Sequence, residues 1–375
     1  MKLQKLFTIF LLIILVEMIS NINAEFPIQD ISYGQISELN LVELVKKPMT
    51  IPLADLTKID SRLDSIVFVG DVLLARNVEV LMERYDDSYP YKGLNFNELS
   101  TKPLVIGNFE SSIPIVHKPT EALQMSFSTN SKYLTAARAA GFSYFSLANN
   151  HSFDSGSNEY SNSVDKLIQN NLIPLGHPNE FNKDSVSVIE VNNMKVALIA
   201  LQAIEFHFDD NDISDVLDYA SSISDFQVVY VHWGIEYEQK HSKKQRQLAE
   251  KFVKYGADLV IGHHPHVVQD IDLIDGVPVF YSLGNYIFDQ YFSTLVQQGL
   301  ILQLTLGRES FVDVIPVTSE GTLSQPRRMN VLQQAVFLRN LTQISNPLLK
   351  SDIEQGTIPL NFKVATSSKV AMITK

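Results

Sequence analysis

The sequence contains no cysteine, and this absence removes several classes of chemistry at once. There is no disulfide, no thiolate metal site, no cysteine nucleophile and no lipid-modified cysteine anchor. Positive charge is also scarce, because 30 Lys and Arg residues face 42 Asp and Glu residues, for a formal net charge of -12. Binding to nucleic acid or to an anionic membrane surface needs clustered Lys and Arg, so the composition argues against both.

Long apolar runs are also rare, and the longest lies at the N-terminus. Residues 6–16 are apolar but too few to span a bilayer; Lys2 precedes them and Ala24 offers a small residue for cleavage. We therefore predict an export signal at residues 1–24. An uncleaved N-terminal anchor stays open as an alternative. In both cases we expect an exported protein that is periplasmic, on the cell surface or secreted, and membrane-anchored if the signal remains.

The composition of the whole chain is that of a folded protein. Its 375 residues suffice for one large domain or two modest ones, and a hydrophobic fraction of 45% allows a substantial core. Residues 25–63 have weak periodicity and are interpreted as a leader segment. Strand-like and helical patterns alternate over residues 64–311, which predicts an α/β domain, and residues 312–375 form a C-terminal extension with one predicted helix.

Three local patterns within this domain are specific enough to be tested. Residues 188–202 are predicted to form a hairpin that turns at Asn192 and Asn193. Ser242 and Gln245 have the spacing of a capping box that opens a helix ended by Gly256. Residues 206–225, rich in Asp and Ser, are interpreted as a solvated surface insertion.

The most informative pattern is a repeated ending of apolar runs in polar residues. One such ending means little, since a chain leaving a strand commonly returns to water. Six endings drawn from the same short set of residue types are harder to explain in that way. In open α/β sheets the ligand crevice lies beyond the carboxyl ends of the strands, so we expect these side chains to converge. They are Asp71, Asn108 and Glu110, Asn149 to His151, His232, His264 and His266, and Asn285.

The donors in this set are carboxylate, amide and imidazole groups, which suit Mn²⁺, Fe or Zn²⁺. A mixed set of this size indicates two divalent metal ions that share a carboxylate. Two such ions would lower the pKa of a bridging water and neutralise charge on a phosphoryl-like transition state. The same centre would also suit attack on an amide or another polarised carbonyl, and the residues leave both reactions open.

The blocks that carry these residues resemble the capsule-synthesis CapA family, which is associated with poly-γ-glutamate capsule production and related to the calcineurin-like metallophosphoesterases. The resemblance covers about residues 64–306. It implies a four-layer α/β/β/α sandwich of the metallophosphatase type, with the metal crevice where strand ends converge. The blocks are Gly-Asp71, Asn108-Phe-Glu110, Ala148-Asn-Asn-His-Ser-Phe-Asp154, His232-Trp-Gly-Ile-Glu-Tyr237, Gly262-His-His-Pro-His-Val267 and Tyr281-Ser-Leu-Gly-Asn-Tyr-Ile-Phe-Asp289.

The resemblance also implies roles for individual residues. Asp71 would be a bridging or first-site carboxylate, and Glu110 a further carboxylate ligand. His151 would protonate a leaving group or orient a bound anion. The remaining metal ligands implied are Asn150, His232 and His264 for the second site and His266 for the first.

The sequence departs from the metallophosphoesterase pattern in two places. Leu73 occupies the position of the histidine expected two residues after Asp71, and Asn108-Phe-Glu110 stands where Gly-Asp-x-x-Asp is usual. The first site is therefore expected to be weak, mononuclear or rebuilt with Glu110.

Several further residues are candidates for supporting the ligands or contacting substrate: Asn108, Asn149, Glu236, His263 and Asn285. Asp154 is expected to hydrogen-bond its loop or cap the following helix. The histidines outside the blocks are interpreted as surface or incidental residues, namely His117, His177, His207 and His241.

Two functions follow from these patterns. The first is an exported metal-dependent hydrolase that acts on a phosphoester or an amide of an extracellular anionic polymer. The second is a non-catalytic component of a capsule synthesis or export assembly at the membrane, in which an altered metal site only binds polymer; the leucine at position 73 favours it. Neither function involves nucleic acid.

Overall fold

The computed structural model describes residues 63–121 and 124–360. The predicted export signal and nearly all of the predicted leader segment lie outside the described residues. Within the described ranges, no helix combines the length and the apolar character that crossing a bilayer would require.

The described residues form fifteen strands. In chain order they are β1 Ser65–Val72, β2 Pro103–Phe109, β3 Phe142–Ser146, β4 Ile173–Leu175, β5 Val186–Val191, β6 Met194–Gln202, β7 Phe226–His232, β8 Leu259–His263, β9 Ile271–Ile274, β10 Val277–Phe280, β11 Asn285–Ile287, β12 Gln298–Thr305, β13 Phe311–Thr318, β14 Arg327–Arg328 and β15 Thr357–Pro359.

The same residues form seven α-helices. They are α1 Arg76–Arg84, α2 Leu134–Ala139, α3 Tyr160–Gln169, α4 Asp210–Ile223, α5 Lys243–Lys254, α6 Val331–Ile344 and α7 Lys350–Gln355.

The strands build two sheets with parallel centres. The first has the order β14-β13-β12-β1-β2-β3-β4, with β11 paired to β1 and β15 to β13; the second has the order β5-β6-β7-β8-β10-β9. Strands β1 to β4 run parallel in the first sheet, and β6, β7, β8 and β10 run parallel in the second. The carboxyl ends within each parallel set therefore lie at one edge of its sheet.

Side chains alternate between the two faces of each strand, so each sheet contributes to a core between the sheets and to a core against helices. In β1, Ile66 and Phe68 join a cluster that also contains Leu198 of β6 and Val228 of β7, so this face packs against the other sheet. The opposite face of the first sheet packs against α1, α2 and α3, and that of the second sheet against α4 and α5. The result is four layers, α/β/β/α, which confirms the predicted fold class.

The interpretation of residues 206–225 as a solvated insertion was wrong. Asp210–Ile223 is a helix whose Ile213, Val216 and Leu217 are buried against the second sheet. Asp209 caps it in a box with Asp212. The many Asp and Ser residues lie on the cap and outer face, and they concealed a helical spacing of only a few apolar residues.

The C-terminal segment is more structured than the sequence indicated. Strand β13 pairs with β12 along its whole length, so the first sheet continues beyond the residues assigned to the core domain. Helices α6 and α7 follow, where the sequence pattern predicted one helix. By contrast, the β5-β6 hairpin and the capping box of α5 are confirmed.

An irregularity in β1 positions the first carboxylate. Phe68 pairs with Ile106 and Asp71 pairs with Asn108, so β1 uses three residues where β2 uses two. Such a bulge reverses the faces that later side chains present. Gly70 lies in this bulge, and a Cβ atom there would be 1.9 Å from the carbonyl oxygen of Gly284.

We expect Gly70→Ala to lower the free energy of unfolding by about 3 kcal/mol, because the added methyl group forces β1 and residue 284 apart. Urea unfolding measures the change. Gly307→Ala is the matched control, since a Cβ there meets nothing within 4 Å, and it should alter stability by less than about 0.5 kcal/mol. Equal stability of the two variants would contradict the assigned packing at the bulge.

Candidate metal centre

The strand pleat brings polar residues of both sheets to the same interior space. Asn108 at the end of β2, and Glu110 directly after the strand, continue the inward-facing row that begins with Leu104 and Ile106. His232 likewise follows Tyr230 in β7. The bulge in β1 adds Asp71, which pairs with Asn108 on one side and with Asn285 on the other. The predicted convergence of strand ends is therefore what the two sheets produce.

Asn108 connects the carboxylates and histidines of this centre. Its Nδ2 atom lies 2.8 Å from Asp71 Oδ1, 3.3 Å from Glu110 Oε1 and 3.1 Å from His232 Nδ1. Its orientation is set by Asn149, whose Nδ2 donates to Asn108 Oδ1 at 3.2 Å and to the carbonyl of Phe109 at 2.9 Å. The amide therefore presents only donors to the two acidic side chains.

Two overlapping groups of side chains have the spacing of metal ligands. In each group one ligand atom per residue lies within 4.8 Å of the others. Glu110 belongs to both groups, whereas the resemblance implied Asp71 as a bridging or first-site carboxylate and Glu110 as a further ligand. The groups are Glu110, His264 and His266, and Asp71, Glu110 and His232.

Buried ligand atoms that lack a hydrogen-bond partner indicate whether the site suits a cation. Glu110 is fully buried, and its Oε2 atom has no hydrogen-bond partner among the described residues; the same holds for His264 Nδ1. A buried carboxylate oxygen without a partner carries a large desolvation penalty. Oxygen and imidazole donors are also the ligands that Mn²⁺, Fe and Zn²⁺ accept. The residues therefore fit a divalent metal.

Burial is the largest influence on the pKa values of the carboxylates and of the candidate ligand histidines in this centre. Burial and the charge of Asp71 hold the pKa of Glu110 well above its ordinary value. Burial raises the pKa of Asp71 as well, but the imidazoles of His263 and His266 outweigh it and hold that pKa well below its usual range. Asp71 is therefore the ionised carboxylate, and His266 lies 3.2 Å from its Oδ2.

The three metal-ligand candidates among the histidines differ in protonation. Burial lowers the pKa of His232 well below its ordinary value and that of His264 to about 4, with help from neighbouring histidines. Burial also lowers the pKa of His266, but Glu110 and Asp71 outweigh it and raise that pKa to about 9. Neutral His232 and His264 are ready to coordinate, because a metal requires deprotonated imidazole.

The loop after β8 is held in an unusual conformation. His264 has a φ of 96° and His266 a φ of 58°, values in which residues other than glycine are rare. His266 Nδ1 lies 2.9 Å from Asn285 Oδ1, and the backbone N–H of His264 donates to Asp71 Oδ2 at 3.4 Å. Strained backbone concentrates at functional sites, where surrounding contacts over-determine it.

Asn150 and His151 are neighbouring side chains that lie beside the two ligand groups. Asn150 Oδ1 lies 2.8 Å from His232 Nε2, so the amide reaches the ligand set. His151 Nδ1 lies 2.9 Å from Asp154 Oδ2, and the imidazole stacks on Phe127 with centroids 4.1 Å apart. Asp154 was expected to support its loop, and it does so by accepting from the N–H of Phe127 at 2.5 Å, but it also orients His151.

His263 and Glu236, two candidates for supporting the ligands, differ in burial and in their contacts. His263 is buried, lies 3.3 Å from Asp71 Oδ1 and packs on the ring of Tyr230. Glu236 is half-buried, and its charge acts on Glu110 and His266. Among the described residues, no hydrogen bond joins Glu236 to a histidine of the centre.

Two histidines interpreted as surface or incidental residues pair with acidic side chains that are distant in the chain, whereas His177 has local partners such as Asn179 and Glu180. His117 Nε2 lies 2.8 Å from Glu79 of α1, and His241 Nδ1 lies 2.7 Å from Asp270. The partners are 38 and 29 residues away in the chain, so no local pattern could have revealed either pair. His207, by contrast, is exposed.

Sequence reasoning also missed Arg76 and gave Asp154 only a local role. A signal existed for each. Arg76 is the first cation after Gly-Asp71, and Asp154 follows His151 at a spacing that lets both side chains meet across one turn. Leu73, where a ligand histidine was expected, is fully buried in an apolar cluster with Ala75, Phe127 and Phe288.

Fold and centre together define the class: a two-sheet α/β/β/α sandwich of the metallophosphatase type with a candidate metal centre at its strand ends. The family model for bacterial capsule synthesis protein PGA_cap matches residues 65–290, a span that contains every candidate ligand. The chain belongs to this family, and its role is therefore related to capsule biosynthesis.

Individual relatives agree with this assignment. The PGA biosynthesis protein CapA of Bacillus subtilis (strain 168) is 27% identical over 340 residues, 84% of this chain and 87% of the relative. The capsule biosynthesis protein CapA of Bacillus anthracis is 29% identical over 302 residues, 74% of this chain and 73% of the relative.

Solved structures align less closely. A hypothetical protein from Thermus thermophilus aligns with a TM-score of 0.40 and 13% identity over 70% of this chain and 95% of that one. A novel phosphatase from Mycoplasma pneumoniae aligns with a TM-score of 0.38 and 14% identity over 68% and 86%.

The protonation pattern leads to a prediction for the metal-free protein. Because the folded pKa of His266 is raised above its unfolded value, its contribution to stability is complete below about pH 6.5 and is lost as the pH rises through about 9. Chelator-treated protein should lose about 3 kcal/mol of unfolding free energy between these two pH values.

Urea unfolding at both pH values measures this loss, and His266→Gln should largely remove it. His207→Gln is the matched control, because His207 is exposed, and it should keep the wild-type pH dependence. A wild-type profile that is flat over this interval would contradict the assigned charge of His266.

Proposed function

We propose that this protein is an exported metal-dependent hydrolase that cleaves a phosphoester during biosynthesis of a capsule or another extracellular anionic polymer. One observation carries the proposal: Glu110 is shared by two ligand groups, and its buried Oε2 atom has no hydrogen-bond partner among the described residues, its nearest opposite charge being His266 Nε2 at 3.8 Å. Two adjacent cations account for both features. An amide of the polymer remains the alternative bond, because the same centre would polarise a carbonyl.

The ligand groups assign residues to two divalent ions of Mn, Fe or Zn type. Glu110, His264 and His266 would hold one ion; Asp71, Glu110 and His232, with the amide of Asn150 beside them, would hold the other. When bound, such a pair lowers the pKa of a water molecule and neutralises charge on a phosphoryl group. Two carboxylates against two divalent ions leave a net positive charge, which favours an anionic substrate.

His151 is the residue best arranged to move a proton. Asp154 accepts from Nδ1 and the ring of Phe127 fixes the imidazole plane, so Nε2 faces Asn150 and the ligand set. Asn150 Nδ2 donates to Nε2 at 3.3 Å, so to act as an acid His151 would take up a second proton on Nε2 in place of this contact and deliver it to the leaving oxygen of the ester. A positioned acid of this kind typically contributes about 10²- to 10⁴-fold to a rate.

The polymer role rests on family membership and on the relatives' names. We propose that the protein works outside the cytoplasm, either free or anchored by residues 1–24, and that its substrate belongs to a polymer of the poly-γ-glutamate type or to its phosphoester precursors. Partner proteins of a synthesis machinery at the membrane are compatible with this location.

A second candidate function is a non-catalytic component of a synthesis or export assembly. The observation in its favour is Leu73, which places a buried apolar side chain where related enzymes have a histidine ligand. A centre with one ligand fewer would hold metal only to bind polymer or to stabilise the fold.

Because Glu110 belongs to both ligand groups, the wild type and the ligand variants should differ in metal content in a definite order. After loading with Mn²⁺ and removal of free metal, elemental analysis should find about two ions per wild-type chain and fewer than about 0.5 in Glu110→Gln, because that variant loses one ligand from both groups. His232→Gln and His266→Gln should each retain about one ion.

His207→Gln serves as the control for purification and loading, and it should bind as much metal as the wild type. If Glu110→Gln keeps both ions, Glu110 is not a shared ligand. If the wild type binds none, the proposed hydrolase is wrong and the assembly role is favoured.

Turnover separates the two candidate functions. With Mn²⁺ and bis(4-nitrophenyl) phosphate as the test diester, the wild type should show turnover and His151→Gln should lower kcat by about 10²- to 10⁴-fold with unchanged metal content. Asp154→Asn should fall between them, because it only disturbs the orientation of His151. A metal-loaded wild type with no turnover would contradict hydrolysis of phosphodiesters.

A further inference from the structure

Arg76 is a buried cation that the ligand groups leave without a function. It begins α1, five residues after Asp71, and its residue is only 8% exposed. Its backbone has a φ of 51°, a left-handed value that is uncommon for arginine. Strain of this kind persists only where the surroundings enforce it, and it is concentrated at functional sites.

Two aromatic rings connect the Arg76 guanidinium to the metal centre. Its Cζ atom lies 4.5 Å from the ring centroid of Phe127 and 5.6 Å from that of Phe288. Phe127 stacks on His151, and the ring of Phe288 lies 4.7 Å from that of His266. Arg76 therefore contacts the two rings that pack on His151 and His266, and these rings fix the plane of the guanidinium.

The hydrogen bonds of Arg76 are incomplete. Nη2 forms an ion pair with Asp289, which also accepts from the backbone N–H of Asn77 at 3.1 Å. Nε has no hydrogen-bond partner among the described residues, although it is buried. A guanidinium presents five donors in a planar fork, so one carboxylate leaves donor capacity to spare.

The charge of Arg76 also acts on Tyr237, a partly exposed residue whose ring lies near His266. Tyr237 is 42% exposed, and its ring lies 6.3 Å from that of His266. Burial raises the pKa of the Tyr237 hydroxyl to about 12, and the charge of Arg76 acts in the opposite direction. The ring of Tyr237 thus lies beside His266, and Arg76 is linked to the same histidine through Phe288.

We propose that Arg76 binds an anionic oxygen of the substrate and fixes the orientation of its phosphoryl group beside the metal ligands. The planar guanidinium fork matches phosphoryl oxygens, and charge-assisted hydrogen bonds are among the strongest in proteins. Asp289 and the two rings are then positioning residues, since they hold the fork without touching the substrate. The phosphoryl group as the target rests on the function proposed above.

Equilibrium binding of inorganic phosphate, measured by calorimetry, tests this role. The proteins are the wild type, Arg76→Gln, Arg76→Lys and the control Arg84→Gln, which removes an exposed arginine of the same helix. Each is measured after Mn²⁺ loading and removal of free metal, and again in chelator. Metal content and thermal unfolding are recorded for every sample.

We expect Arg76→Gln to keep the wild-type metal content and to weaken phosphate binding by about 10- to 100-fold, the range for hydrogen bonds to a charged group. Arg76→Lys should lie between the two, because it keeps the charge and loses the fork. Arg84→Gln should bind like the wild type. Where Arg76→Gln does not fold, Arg76→Lys decides, and binding that is weaker by about fivefold or more supports the proposal.

Wild-type phosphate affinity in a folded Arg76→Gln, or in Arg76→Lys where it decides, overturns the proposal. A wild type that binds no phosphate with or without Mn²⁺ also overturns it. Failure of the proposed hydrolase looks different: the wild type takes up no metal or shows no turnover, while the ratio between wild-type and Arg76→Gln phosphate affinities in chelator still tests Arg76.

Discussion

The structure depends on placing two carboxylates, Asp71 and Glu110, side by side in the buried space between two sheets. Both are fully buried, and such a pair is costly unless opposite charge or hydrogen bonds compensate it. Asn108 donates to both, and His266 supplies positive charge. The compensation is incomplete at Glu110 Oε2. This remaining deficit is the physical reason to expect a cation.

The general layout of this centre could be predicted from the sequence because strand pleat and strand polarity are local properties. Apolar runs that end in Asn, Glu or His predicted where parallel strands stop, and side-chain alternation in β2 and β7 then brings Glu110 and His232 inside. The bulge at Gly70 could not be predicted, since it arises from the pairing of β1 with β2 and β11. It nevertheless decides where Asp71 points.

The failures share one cause, which is contact between residues distant in the chain. Helix α4 was missed because packing against the second sheet, not its Asp-rich composition, determines its structure. Glu79 and His117 meet through tertiary folding, and Arg76 gains its position only when residues 127, 288 and 289 surround it. The cluster around Leu73 contains the same two phenylalanines, so Leu73 and Arg76 share their packing partners.

The central claim is that Glu110 is shared by two divalent ions, and anomalous diffraction tests it most directly. Crystals soaked in Mn²⁺ and measured at the manganese edge should show two anomalous peaks, one on each side of the Glu110 carboxylate, with His264 and His266 at one and Asp71 and His232 at the other. A single peak not bound by Glu110, or no peak between the sheets, would contradict the account.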